Sequence, residues 1–136
     1  MDDKTIRAHL DSSEFDAFFY GNTDSPAQFA VAFLDAENRA LFGCDGNTLW
    51  LSRHSLDEHK ERHPEVGIDD YRSIPDIIQR AQVWHGCGTK RYLLLWIGNK
   101  PYRAALKTDS HGVGAWFLSL VISGKQKPPK GAVRLR

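Results

Sequence analysis

The stretch Leu49–Pro75, LWLSRHSLDEHKERHPEVGIDDYRSIP, decides how this chain is read. Its first residues end a strand. Ser55-Leu56-Asp57-Glu58 then forms a capping box, in which the serine oxygen takes one orphan amide and the glutamate reaches back to another. That box predicts a short helix over about Leu56 to Arg62. Pro64 biases His63 away from helical torsions and stops the helix there. Asp69 or Asp70 can start the next helix. Ser73-Ile74-Pro75-Asp76 offers one more cap, because proline is tolerated in a first helical turn. Ile74, Ile77, Ile78 and Ala81 supply that helix with an apolar face.

Downstream of Gln82 the periodicity changes. Val83-Trp84, Tyr92–Ile97, Tyr102–Lys107 and Ala115–Ile122 are rich in aromatic and β-branched residues. They are separated by Gly86/Gly88, by Gly98-Asn99 and by the Asp109–Gly114 stretch. Such spacing predicts an antiparallel meander, with Gly98-Asn99-Lys100-Pro101 as its clearest hairpin. Upstream, Phe29, Val31 and Phe33 alternate with alanines as in a strand, Asp35–Asn38 reads as a turn, and Ala40–Phe42 and Thr48–Ser52 read as extended pieces. One helix over Pro26–Leu41 competes with that reading, since short apolar runs do not separate the two periods. Residues 1–25 form an acidic N-terminal arm with an apolar stripe (Ile6, Leu10, Phe15, Phe18, Phe19, Tyr20), ended by the turn cluster Gly21–Pro26. The arm is too short for its own core, so it packs on the rest or meets a partner. A single domain over residues 26–123 follows, then a basic, flexible tail over 124–136.

Length and composition suit one ordinary globular domain. No apolar run is long enough to span a membrane, and the polar start MDDKTIRAHLDSS is unlike a secretory leader. Cys44 and Cys87 are too few for a disulfide framework and read as two reduced thiols of a cytoplasmic protein. The net charge of +1 hides a split. Residues 1–50 carry three basic residues against nine acids, and residues 51–136 carry fifteen against eight. A one-sided basic excess fits a polyanion partner, and equally a tail kept soluble by lysines.

Five of the six histidines lie between residues 54 and 111. His59 and His63 are four apart and share one face if the helix holds to its end. They can be a metal pair, although Lys60 stands where the zinc-protease pattern needs glutamate and no third ligand has a motif. They can be acid–base groups for a phosphodiester, which need no cofactor. They can also be two surface histidines on a polar helix. On the strand Tyr102–Lys107, alternation puts Arg103 and Lys107 on one face with the small Ala105 between them, where they can neutralise a phosphate or form a solvated face. Ser119, placed by alternation with Phe117 and Val121, can donate to a phosphate oxygen or to its own backbone. No nucleophile elbow, P-loop or dinucleotide glycine pattern occurs. The tryptophans and tyrosines can stack bases, but Trp50, Trp84 and Trp116 are expected mostly buried.

Taken in order, Leu51-Ser52, a short helix ending His63-Pro64-Glu65, Tyr71, Ile74-Pro75, Tyr102-Arg103 with Lys107, and a strand ending near Ser119 resemble the phage-associated nuclease domains grouped with barnase, EndoU, colicin D and RelE. Such domains occur at the ends of phage head-morphogenesis (MuF-type) proteins and in bacterial toxins. The resemblance covers about residues 49–121. It implies a compact α+β fold, barnase/RelE-like, with short helices packed on one face of an antiparallel sheet of about four strands. It also implies a metal-independent endoribonuclease without cofactor. Carried over by position, His59, His63, Lys107 and Ser119 become the catalytic set; beside them Arg53, Tyr71, Tyr102 and Arg103 are expected to bind the substrate, with Arg103, Lys107 and Arg53 forming a basic groove for its backbone. The expected partner is RNA, in the cytoplasm of a bacterium or phage-infected host. The alternatives are an inactive relative that binds an immunity, host or phage structural protein through the N-terminal arm, and an RNA-binding module without catalysis.

Overall fold

The protein's structure, a computed structural model, describes residues 1–21, 26–109 and 111–136. Among these, six helices and seven strands occur. In chain order they are α1 (Asp3–Leu10), α2 (Ser13–Phe19), β1 (Gln28–Phe33), α3 (Ala36–Phe42), β2 (Thr48–Ser52), α4 (Arg53–Arg62), α5 (Ile68–Arg72), α6 (Ile74–Arg80), β3 (Gln82–His85), β4 (Lys90–Ile97), β5 (Lys100–Thr108), β6 (Ala115–Ile122) and β7 (Val133–Arg134). Most of the expected turn at Gly21–Pro26 lies outside the described residues, as does Ser110 in the Asp109–Gly114 separator.

The strands form one mixed sheet in the order β1-β2-β6-β5-β4-β3-β7. This overturns the expected antiparallel sheet of about four strands. The meander β3–β6 is present and antiparallel, but it is only the middle of the sheet. β2 lies beside β6 in parallel and brings β1 with it. β7 pairs with β3 at the opposite edge. A parallel neighbour needs a crossover connection, and no local turn signal announces one. Asp35–Asn38, expected as a turn, starts α3: the Asp35 carboxylate caps the Asn38 amide at 2.9 Å. Gly43 ends that helix at φ +69°, a torsion that suits glycine.

The N-terminal arm is part of the domain. Ile6, Leu10, Phe15 and Phe18 are fully or almost fully buried, and α1 lies on β1. The apolar stripe read from the sequence therefore faces the core from Ile6 to Phe19, while Tyr20 at its end is exposed. The last residue of the tail is tied to the domain: Arg136 donates to the Ala81 and Ile78 carbonyls and to Asn38 Oδ1. Both cysteines are free, Cys44 buried and Cys87 exposed. No helix among the described residues is long and apolar enough to cross a membrane.

The sheet has two unlike faces. Tyr102, Ala104, Leu106 and Thr108 of β5 are buried with Leu93, Phe117 and Leu120, under the helices. Arg103, Ala105 and Lys107 point the other way, as period-2 alternation requires. On β6 the alternation breaks. Ala105 faces Ser119 and Leu106 faces Phe117, so Leu118 is an extra residue in a bulge. The bulge moves Ser119 off the Phe117 face, where simple alternation had put it, onto the face of Arg103 and Lys107.

A buried carboxylate ties the helices to the meander. Asp70 accepts from Tyr102 Oη at 2.6 Å, Lys100 Nζ at 2.9 Å and the Gly67 amide at 2.8 Å. Burial works to raise its pKa, but the bonds from Tyr102, Lys100 and Gly67 outweigh it and hold the carboxyl below its ordinary 3.8. Asp70→Ala removes the acceptor of the buried Tyr102 hydroxyl, of the Lys100 ammonium and of the Gly67 amide. The expected loss is about 2–3 kcal/mol, read as a lower urea midpoint. Because the folded pKa is depressed, Asp70's stabilisation is present above pH 3.8 and lost as pH falls below it.

Candidate active site

The site is built around α4. Ser52 closes β2 and also caps this helix, its hydroxyl accepting the Ser55 amide at 3.0 Å. The helix therefore begins one turn before the Ser55 box suggested. It ends at His63 (φ −132°, ψ 65°), as Pro64 dictates. β2 and β6 pair only through Leu49–Ala115 and Trp50–Trp116 and then diverge, and α4 fills the opening between them.

His59 is the wedge in that opening. The Leu120 amide donates to its Nε2 at 3.2 Å, and its Nδ1 lies 2.7 Å from Tyr71 Oη. An amide can only donate, so Nε2 carries no proton. Nδ1 must then hold it and donate to the tyrosine oxygen. Burial, and then the nearby His63, push the His59 pKa below its usual value. His59 is thus a neutral, fixed imidazole with both nitrogens engaged. On the outer side α2 grips α4: Arg53 donates to the Phe18 carbonyl and lies over the Phe18 ring, and Lys60 donates to the Phe19 carbonyl and lies over the Phe19 ring.

His63 is held differently. Its ring centroid is 4.9 Å from that of His59, and its Nδ1 lies 3.1 Å from Glu65 Oε1. The side chain is 40% exposed. Nε2 has no hydrogen-bond partner among the described residues. His63 lines an open cleft of about 420 Å³ together with Ser55, Glu58, His59, Arg62, Lys90 and Ser119, and within it Arg62 donates to Glu58 Oε1 at 3.0 Å. A histidine with one nitrogen on a carboxylate and the other free is oriented for proton transfer.

The sequence-predicted residues are distributed unevenly around this cleft. His59, His63 and Ser119 line it together. Lys107 lines the adjoining cavity, of about 790 Å³, which shares Ser55 and Leu118 with the cleft. Arg103 lines a smaller cavity of about 230 Å³, joined to the cleft through Ser119 and walled by Tyr92 and Lys127-Pro128-Pro129. Arg53, Tyr71 and Tyr102 line none of the three. Arg53 is pinned to α2, Tyr71 lies behind His59, and Tyr102 is buried on Asp70.

Arg62 and Lys90 escaped the sequence reading. Lys90 had a signal: the two-residue turn Gly98-Asn99 fixes the register Ile97–Lys100 and so places Lys90 opposite Lys107. Trp50, Trp84 and Trp116, expected mostly buried, are all partly exposed. Among the described residues no group of three or more His, Cys, Asp or Glu is arranged to hold a metal ion. Comparison with family models, curated proteins and solved structures finds no match for this chain.

Proposed function

We propose that this protein is a metal-independent endoribonuclease, cleaving RNA by attack of a ribose 2′-hydroxyl on the adjacent phosphate. The observation that carries this reading is His63, held by Glu65 through Nδ1, with a free Nε2, in a cleft that also contains the Ser55 and Ser119 hydroxyls, the Lys90 ammonium and the Arg62–Glu58 ion pair. In the scheme His63 Nε2 takes the 2′-hydroxyl proton as the O2′–P bond forms. Ser119, Arg62 and Lys90 face the charge that builds on the phosphoryl oxygens. The P–O5′ bond breaks, Lys90 supplies a proton to the departing oxygen, and the products are a 2′,3′-cyclic phosphate and a 5′-hydroxyl. Lys107 and Arg103, in the flanking cavities, hold neighbouring phosphates. His59 acts through position: it fixes the helix that carries His63. The order of motifs shared with the phage-associated nuclease domains supports the same reading, and a cytoplasmic site of action in a bacterium or infected host goes with it.

The arm offers less support for the protein-binding alternative, since its apolar residues other than Tyr20 are used in the core. Cleavage of a single-stranded RNA in the presence of excess EDTA tests the proposal. Retained activity agrees with it, whereas loss of activity that an added divalent ion restores contradicts it. Ser119→Ala should lower kcat about 10–100-fold with a small change in KM, because the hydroxyl acts on developing charge rather than on ground-state binding. Steady-state kinetics on a defined oligonucleotide checks this.

A further inference from the structure

We propose that the cavity beside the histidine cleft is a stacking subsite for an unpaired RNA base, with the Trp116 indole as its platform and Lys107 as the contact for the adjoining phosphate. This rests on the reading of the cleft as an RNA-cleaving site and names the form of RNA it takes. The cavity is the larger neighbour of the cleft, and Ser55 and Leu118 belong to both walls, so one strand can pass from one to the other.

Trp116 lies where a core tryptophan would not. It is on the sheet face away from the helices, in register with Lys107 on one side and Trp50 on the other. The neighbouring turn seats its edge: a side chain at Gly114 would come within 3.3 Å of the indole Nε1 and 2.8 Å of Asp109 Oδ2. That turn is held by Asp109, whose carboxylate accepts the amides of His111, Val113 and Gly114. Among the described residues Asp109 is the one acid lining the cavity, and its carboxylate is engaged with three backbone donors in the turn, while Lys107 is the cation beside the indole. A fixed, partly exposed indole beside a lysine meets the two needs of single-strand binding, a π-face for the base and a cation for the backbone. Bases in a duplex are already stacked and paired, so this subsite selects single-stranded segments.

The test is the binding of an eight-nucleotide RNA carrying 2′-O-methyl groups throughout, which cannot be cleaved by 2′-hydroxyl attack, to wild type, Trp116→Ala, Trp116→Leu and Trp116→Phe at fixed salt. Base–aromatic stacking is typically worth enough that Trp116→Ala should weaken binding about tenfold or more. Trp116→Phe should stay within about threefold of wild type, since a smaller ring still stacks. Wild-type tryptophan fluorescence should be quenched on binding, and part of that quench should vanish in Trp116→Phe. A fully paired duplex of the same sequence should bind at least about tenfold more weakly. If Trp116→Ala fails to fold, Trp116→Leu, which keeps an apolar side chain but no ring, gives the deciding affinity. Equal affinity of wild type and the ring-less variant, or of single strand and duplex, overturns the subsite while leaving a cleaving wild type as an RNase. A wild type that neither binds nor cleaves RNA overturns both.

Discussion

His63→Ala should abolish RNA cleavage and leave the fold intact. A positioned general base contributes about 10²–10⁴-fold, so kcat/KM is expected to fall by that factor. The stability effect should be small, within about 0.5 kcal/mol. His63 follows the last turn of α4, is 40% exposed, and has one side-chain hydrogen bond, to Glu65. That combination of a large kinetic and a negligible thermodynamic effect marks a residue that does chemistry. Glu65→Gln should fall between wild type and His63→Ala, because the amide oxygen can still accept from Nδ1 and orient the ring but is a weaker acceptor than the carboxylate. Single-turnover cleavage rates and urea melts on the same preparations separate the two effects.

His59→Ala should do the reverse and cost about 3–4 kcal/mol of stability. It removes the acceptor of a buried amide, Leu120, and the partner of a buried hydroxyl, Tyr71, and it opens a cavity between α4 and β6. Each stranded group costs about 1–3 kcal/mol, and the cavity adds to that. Activity should fall as well, because α4 loses its tie to β6 and His63 its fixed position. Tyr71→Phe tests the same joint more gently and should cost about 1–2 kcal/mol. The joint also has a pH signature. Burial, then His63, holds His59 below the ordinary imidazole value of 6.5, so the unfolded chain binds a proton where the folded chain does not. The stabilisation is therefore present in full above pH 6.5 and declines as pH falls towards the lowered folded pKa. A urea series across that range should show the decline in wild type, and His59→Gln should flatten it.

Much of the site was legible because it rests on local rules. His59 and His63 are four apart on a capped helix, and their rings meet at 4.9 Å. Arg103 and Lys107 share a strand face because side chains alternate. Ser119 shows where that rule ends: it reaches the same face only through the Leu118 bulge, and nothing in Trp116–Leu120 announces an extra residue. Arg53, Tyr71 and Tyr102 looked like binding groups because their polar ends suit a phosphate. The tertiary contacts that occupy those ends, with Phe18, His59 and Asp70, join residues 35, 12 and 32 positions apart. The strand count failed for the same kind of reason. β2 joins β6 in parallel across more than sixty residues of sequence, and β7 returns from the tail to β3, so neither pairing follows from a turn.

The most direct measurement uses a DNA oligonucleotide containing a single ribonucleotide, incubated with the protein in EDTA, with the product masses read by mass spectrometry. Transfer to a 2′-hydroxyl predicts one cut, on the 3′ side of the ribose, leaving a 2′,3′-cyclic phosphate on one fragment and a 5′-hydroxyl on the other. An intact oligonucleotide, cuts at deoxynucleotides, or a 5′-phosphate end would contradict the mechanism built on His63.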